Sequence, residues 1–339
     1  VMLRTRSLLA TALMVAAPAV VLAGAEPASA HGIGGREPTN VRVRVVAVEP
    51  ALAGVDVNVV DAGTRLELSN TSDTDVVVFG YEGEPYLRIG PEGIFENARS
   101  PAVFLNRTLD PPAEYPDRYD PEAAPEWQRI DDGTHAAWHD HRAHAMTDGA
   151  FETSNWTVPM EAAGAPLLVQ GELAWVEPAP WWPWVLVSVG LAALVVLAAR
   201  RAWRLTVAIT LELLVAAELL HVVGSWSVLA DTFWARANAQ LISVGAIAFG
   251  ALAAYRVVRH PPHASAPYAL FAGVFLFIAG GLSDATVWFR SQLPSNLSPT
   301  LDRALVALAF GGGMGIVIAS AFQLAPAEPQ PDAAPVTVP

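Results

Sequence analysis

Four of the chain's eight histidines, His135, His139, His141 and His144, fall inside the stretch "THAAWHDHRAHAM", Thr134 to Met146. An imidazole near neutral pH can ligate a metal, carry a proton or serve as a hydrogen-bonding group. If "AAWHDHR" is a strand, alternation puts His139 and His141 on one face and Trp138, Asp140 and Arg142 on the other. Two imidazoles two residues apart on one face reach a single ion. His144 and Met146 follow closely enough to add a third nitrogen or a thioether, and Asp140 is a nearby carboxylate. Imidazole, carboxylate and thioether without thiolate suit Cu(II) or Zn(II), with copper higher in the affinity order. Two other readings stand beside a metal site: a pH sensor, and a strand edge whose histidines only build hydrogen bonds.

A fifth histidine has a special position. Arg4 and Arg6, the apolar run Leu8 to Leu22 and the small residues "ASA" at Ala28 to Ala30 have the pattern of a secretory signal over residues 1–30. Cleavage after Ala30 makes His31 a new N-terminus, whose amine and imidazole together would chelate copper in one plane. A cut after "AGA" at Ala23 to Ala25 is the alternative and would leave His31 internal.

The elements that must carry these residues change character near Trp181. From Val41 the sequence alternates with period two in "VRVRVVAVEP", "VDVNVV", "TRLELSN" and "DVVVFG", separated by Gly, Asp, Asn and Pro, as half-buried antiparallel strands require. "EPYLRIG", "GIFEN" and "AVFLN" read as short strands or loops. The Pro- and acid-rich Asn106 to Trp127 reads as a surface excursion. "WQRI", "HAAWHDH", "SNWTVPM" and "PLLVQGELAWVEP" return to strand-like sequence. Residues 31–180 therefore read as an all-β, extracytoplasmic sandwich, immunoglobulin-like or cupredoxin-like.

Beyond it lie five apolar segments near bilayer-spanning length, Trp181 to Ala199, Leu205 to Val223, Leu241 to Val257, Tyr268 to Leu282 and Ala304 to Leu324. They predict an α-helical transmembrane bundle of five helices over 181–324, with a disordered cytoplasmic tail at 325–339. The clusters "RRAWR" and "YRVVRH" then fall on the cytoplasmic side, and Trp181, Trp182 and Trp184 at the outer interface. Within the second segment, Glu218 and His221 share a helix face. Asp284 is expected at similar depth, so the three are candidates for a membrane relay that receives a cation from the sandwich, or for ion pairs that hold the bundle together. "GGGMG" at Gly311 to Gly315 has the spacing that lets helices approach closely.

The 339 residues are 53% hydrophobic with a mean hydropathy of +0.36, high for a soluble chain of this length. Residues 31–180 hold 25 Asp and Glu against 10 Arg, so the globular half is acidic and suits cations, not nucleic acid. With no Cys, thiolate sites and thiol catalysis are excluded. No hydrolase, metalloprotease or kinase motif occurs, so no enzyme is indicated.

In "ASAHGIGG" and "HDH" at His139 to His141 the architecture resembles the bacterial copper-resistance C and D proteins. That resemblance implies Cu(II) bound by a mature N-terminal His together with a later Asp and His. The stretches "GYEGEPYLRIGPEGIFEN", "SPAVFLNR" and "WHDHRAHAM" are similar to an uncharacterised actinobacterial family of membrane-anchored envelope proteins. The expectation is a plasma-membrane protein whose extracytoplasmic domain binds metal, copper first and zinc second, through His31, His139, Asp140, His141, His144 and Met146. It would serve metal acquisition, delivery or resistance, while the alternative is a metal-free module that binds another envelope protein.

Overall fold

The computed structural model describes residues 38–107, 114–145, 149–226, 228 and 233–325. Residues 1–30, where a signal segment is expected, His31, Met146 and residues 326–339 lie outside the described residues.

The first half forms two antiparallel sheets. One has seven strands in the order β1 (Val41–Glu49), β10 (Ala165–Trp175), β9 (Ser154–Ala162), β4 (Val76–Phe79), β5 (Pro85–Gly90), β6 (Gly93–Asn97) and β7 (Trp127–Asp131). The other has three, β2 (Val55–Val60), β3 (Arg65–Asn70) and β8 (His135–Trp138). The central strands bury their alternate apolar positions. In β9, Trp156, Val158, Met160 and Ala162 point inward while Asn155, Thr157 and Pro159 are exposed. Leu66 and Leu68 of β3 and Trp138 of β8 share one core with Val76, Val78, Ile89, Val158 and Val169 of the larger sheet.

One segment differs from its sequence reading. "PAVFL" forms a short helix, α1 (Pro101–Leu105), where a strand or loop was expected. Ser100 caps it by accepting a hydrogen bond from the Ala102 N–H at 3.2 Å, and Pro101 at the first helical position has the φ a helix needs.

The second half is helical. Four helical segments are long and apolar enough to cross a membrane: α2 (Trp182–Trp226), α4 (Leu241–Arg259), α5 (Pro262–Leu276) continued by a π-helical turn to Leu282, and α6 (Pro299–Leu324). A seven-residue helix, α3 (Phe233–Ala239), joins α2 to α4. α2 contains two of the five segments expected from sequence. Ala202 breaks it with φ −144° and ψ 66°, and its two arms pass along α6 in opposite directions. Ser188 and Val195 of the first arm face Gly311 and Gly315, whereas Leu214 of the second faces Gly312 and His221 meets Asp302. Leu186, Leu194, Leu197, Ile209, Leu213 and Phe271 are exposed, so these helices are apolar on their outer faces as well as inside. An apolar outer face suits lipid and not water.

The two halves are tied at one end of the bundle. Thr39 and Gln292 exchange backbone hydrogen bonds of 2.9 and 2.8 Å, and the Ser291 N–H donates to Asn40 Oδ1 at 2.9 Å. At the opposite end Arg204, just past the break in α2, donates to the carbonyls of Val257 and Val258 in the last turn of α4. The two basic clusters of the helical half thus lie together, away from the sandwich.

Candidate functional site

The histidine segment is a strand for only half its length. β8 ends at Trp138, whose register partner is Leu66, and the chain turns through a 3-10 helix at His141–Ala143. Asp140 starts that turn by accepting from the Arg142 N–H at 3.1 Å. Its carboxylate also takes the Arg142 guanidinium at 2.8 and 2.9 Å and the Trp138 indole N–H at 3.1 Å. The predicted separation of faces therefore survives the loss of strand geometry. Asp140 is buried with its two oxygens committed to Trp138 and Arg142, and it is a support of the turn more than a partner of the histidines. Arg142 extends the support by donating to the carbonyls of Phe79 and Gly80.

On the other face the imidazoles meet. His139 Nε2 is 3.3 Å from His141 Nδ1, and the ring centroids are 4.6 Å apart at an interplanar angle of 88°. The remaining nitrogen of each ring faces a backbone carbonyl: His139 Nδ1 is 2.7 Å from Thr64 O and His141 Nε2 is 3.0 Å from Leu105 O. A carbonyl oxygen only accepts, so each of those nitrogens carries the hydrogen. In the neutral rings, Nε2 of His139 and Nδ1 of His141 are then both bare lone pairs, and they point at one another.

Two lone pairs at this separation repel unless a proton or a metal ion lies between them. Burial, the largest influence, lowers the pKa of His139 below its ordinary value. The hydrogen bond to Thr64 opposes that effect, and the neighbouring His141 and His144 reinforce it. Burial thus favours the neutral form of the His139 ring, the form a metal needs. His144 brings a third imidazole, its ring centroid 5.1 Å from that of His139. His135, at the start of β8, is exposed and bonds Ser69 at 3.1 Å, away from the cluster. Among the described residues no group of three or more His, Asp or Glu could hold a metal ion, so the geometry supplies no more than a pair.

Sequence inspection missed the residues that aim the pair. Tyr81 accepts the His141 backbone N–H at 3.0 Å and donates to Asn106 Oδ1 at the end of α1. Burial first, then the Asp140 carboxylate, pushes the Tyr81 phenol up, which keeps it a neutral donor. The site lies at the bundle-facing end of the sandwich. β1 starts at the tie to the bundle, and Gly63, next to Thr64, packs on Val43 near that start. The other end of β3 is held at Gly54, beyond the far end of β1, by the Thr71 N–H.

In the bundle the structure brings together the three residues singled out there and adds a fourth. His221 Nε2 is 3.5 Å from Asp284 Oδ2, and its Nδ1 is 3.1 Å from Asp302 Oδ1 at the start of α6. Glu218 is within electrostatic range of His221 and Asp284, with Ser243 of α4 as its hydrogen-bond partner. Asp302 carried no sequence signal because it sits outside the apolar window that begins at Ala304.

No protein family, no curated protein and no solved structure matches this chain.

Proposed function

We propose that the protein is a plasma-membrane protein whose extracytoplasmic sandwich binds a transition-metal ion between His139 and His141, at the end of the domain that faces the bundle. One observation carries the reading: each ring has its outer N–H committed to a backbone carbonyl and its bare nitrogen turned toward the other ring. That is the arrangement by which proteins fix the tautomer and orientation of metal-ligating histidines. At the usual Zn–N distance of about 2.0–2.1 Å, nitrogens 3.3 Å apart subtend roughly 104–111° at the ion, a tetrahedral angle. Square-planar Cu(II) wants about 90°, so the pair would have to close somewhat to receive it. Zinc is therefore the better geometric fit, and copper remains the ion implied by the resemblance to copper-resistance proteins. His144, with its ring 5.1 Å from that of His139, stands as a further candidate ligand. His31 and Met146 stand as additional ligands by the sequence argument alone.

The two arms of α2 make five membrane passes out of the four apolar helices. With the sandwich outside, Arg200, Arg201, Arg204, Arg256 and Arg259 all reach the cytoplasmic face, which accords with the excess of basic residues on that side. The activity that follows is reception of a metal ion at the outer surface, for acquisition, delivery or resistance.

The test is calorimetric titration of the full-length protein in lipid nanodiscs with Zn(II) and, separately, Cu(II). The expected result is one ion per chain, with binding abolished in His139→Ala and in His141→Ala but retained in His135→Ala. If His135→Ala weakens binding as much as the other two, or no ion binds above the level of a variant carrying both His139→Ala and His141→Ala, the metal reading fails. The protein then stands as a metal-free module for another envelope protein.

A further inference from the structure

The outer half of the bundle gathers three acidic side chains around one imidazole. Glu218, Asp284 and Asp302 are three carboxylates, with His221 on the same arm of α2 and Arg303 beside Asp302 on α6 as basic groups next to them. α4 contributes only the Ser243 hydroxyl at Glu218, and the π-helical turn Phe277–Leu282 contributes no titratable group. A carboxylate buried inside a membrane segment is costly to hold charged.

The four acidic and imidazole groups are not equivalent. Asp302 lies in the first turn of α6, where the helix dipole favours an anion, and it also holds His221. Asp284 faces the other nitrogen of His221. Glu218 is 2% exposed, and its Oε1 has no hydrogen-bond partner in the structure. The other oxygen presses on Gly280 of the π-helical turn, where a β-carbon would sit 2.1 Å from Oε2. His221 and Asp284 keep side-chain exposures of 17% and 14%, and Asp284 lies a few residues before the Ser291–Gln292 tie to the sandwich. A proton on Glu218 would remove the cost of holding that buried carboxylate charged.

We propose that Glu218 is an exchangeable proton carrier, loaded from the extracytoplasmic side through the Asp284–His221–Asp302 triad. The step is a proton transfer alone: the carboxylate of Glu218 gains a hydrogen from solvent by way of the triad, and returns it by the same route when the outside becomes alkaline. The bundle is then a proton-responsive element and not only an anchor.

The experiment is infrared difference spectroscopy of the full-length protein in nanodiscs as the bath pH is raised. The expected result is a carboxylic-acid carbonyl band that shifts in heavy water, disappears on alkalinisation and is lost in Glu218→Gln. Asp284→Asn, which leaves Glu218 in place, should move the midpoint of that band by about one pH unit or more. This second variant keeps the test open if Glu218→Gln fails to fold. A band that persists in Glu218→Gln, one that does not respond to pH while the protein stays folded, or a midpoint unchanged by Asp284→Asn would each overturn the proposal.

Discussion

His139 and His141 face each other through nitrogens 3.3 Å apart, each ring anchored from behind by a backbone carbonyl. Tyr81 fixes the second ring by holding its backbone N–H. Replacing Tyr81 with Phe removes that acceptor and the bond to Asn106 without touching either imidazole. Metal affinity is expected to fall about 10- to 100-fold, the usual effect of losing an orienting partner. Titration of the variant in nanodiscs checks it, and unchanged affinity would show that the turn needs no such brace.

Asp140 and Arg142 form the buried pair under the same turn, with side-chain exposures of 0% and 20%. Arg142→Leu strands a buried carboxylate, which should cost about 3–5 kcal/mol of domain stability. Adding Asp140→Asn removes the stranded charge and should recover part of that loss. Chemical denaturation of the two variants measures both effects, and equal stabilities would contradict the pairing.

Glu96 sits half-buried on β6, and its desolvation raises the carboxyl pKa above the ordinary 4.5 against the pull of Arg107. The folded state therefore holds this proton more tightly than the unfolded chain. The resulting stability is fully present below 4.5 and is lost as pH rises through the folded value. Glu96→Gln should melt closest to the parent at the acid end and above it at neutral pH. A melting-temperature difference that does not grow with pH would refute this.

Gly311 lies against the first arm of α2, where a β-carbon would come within 2.3 Å of the Ser188 carbonyl oxygen. Gly311→Ala should force the two helices apart and destabilise the bundle by about 1–3 kcal/mol. The sandwich core does not involve this contact. A shift confined to the detergent-sensitive unfolding transition, with the β-domain transition unmoved, is the expected signature.

The chain has no Cys, so single cysteines report topology cleanly. Thr153→Cys in the sandwich should react with an impermeant maleimide added outside intact cells. Arg201→Cys, beside the break in α2, and Gln323→Cys, near the end of α6, should react only after permeabilisation. Labelling of Arg201→Cys from outside would mean that the arms of α2 do not form two separate passes.

Much of the architecture is local and was legible in the residues. Period-two alternation located the strands because a pleated chain sends successive side chains to opposite faces, and the long apolar runs located the helical half because helices of that length bury their backbone bonds internally. Alternation also separated His139 and His141 from Trp138 and Asp140, although the strand stops at Trp138. Two local readings needed correction. The Ser100–Pro101 cap turned an apolar run into α1, and Ala202 joined two expected spans into one broken helix.

What only tertiary structure decided is the state of each ring. The carbonyl that fixes His139 belongs to Thr64, 75 residues away, and the one that fixes His141 belongs to Leu105, 36 residues away. Asp302 reaches His221 across 81 residues. Hydrogen bonds have a reach of about 3 Å, so no pattern along the chain encodes them. The sequence by itself determined which residues could share a face, and the packing of β3, α1 and α6 against them determined which nitrogens and oxygens were left facing one another.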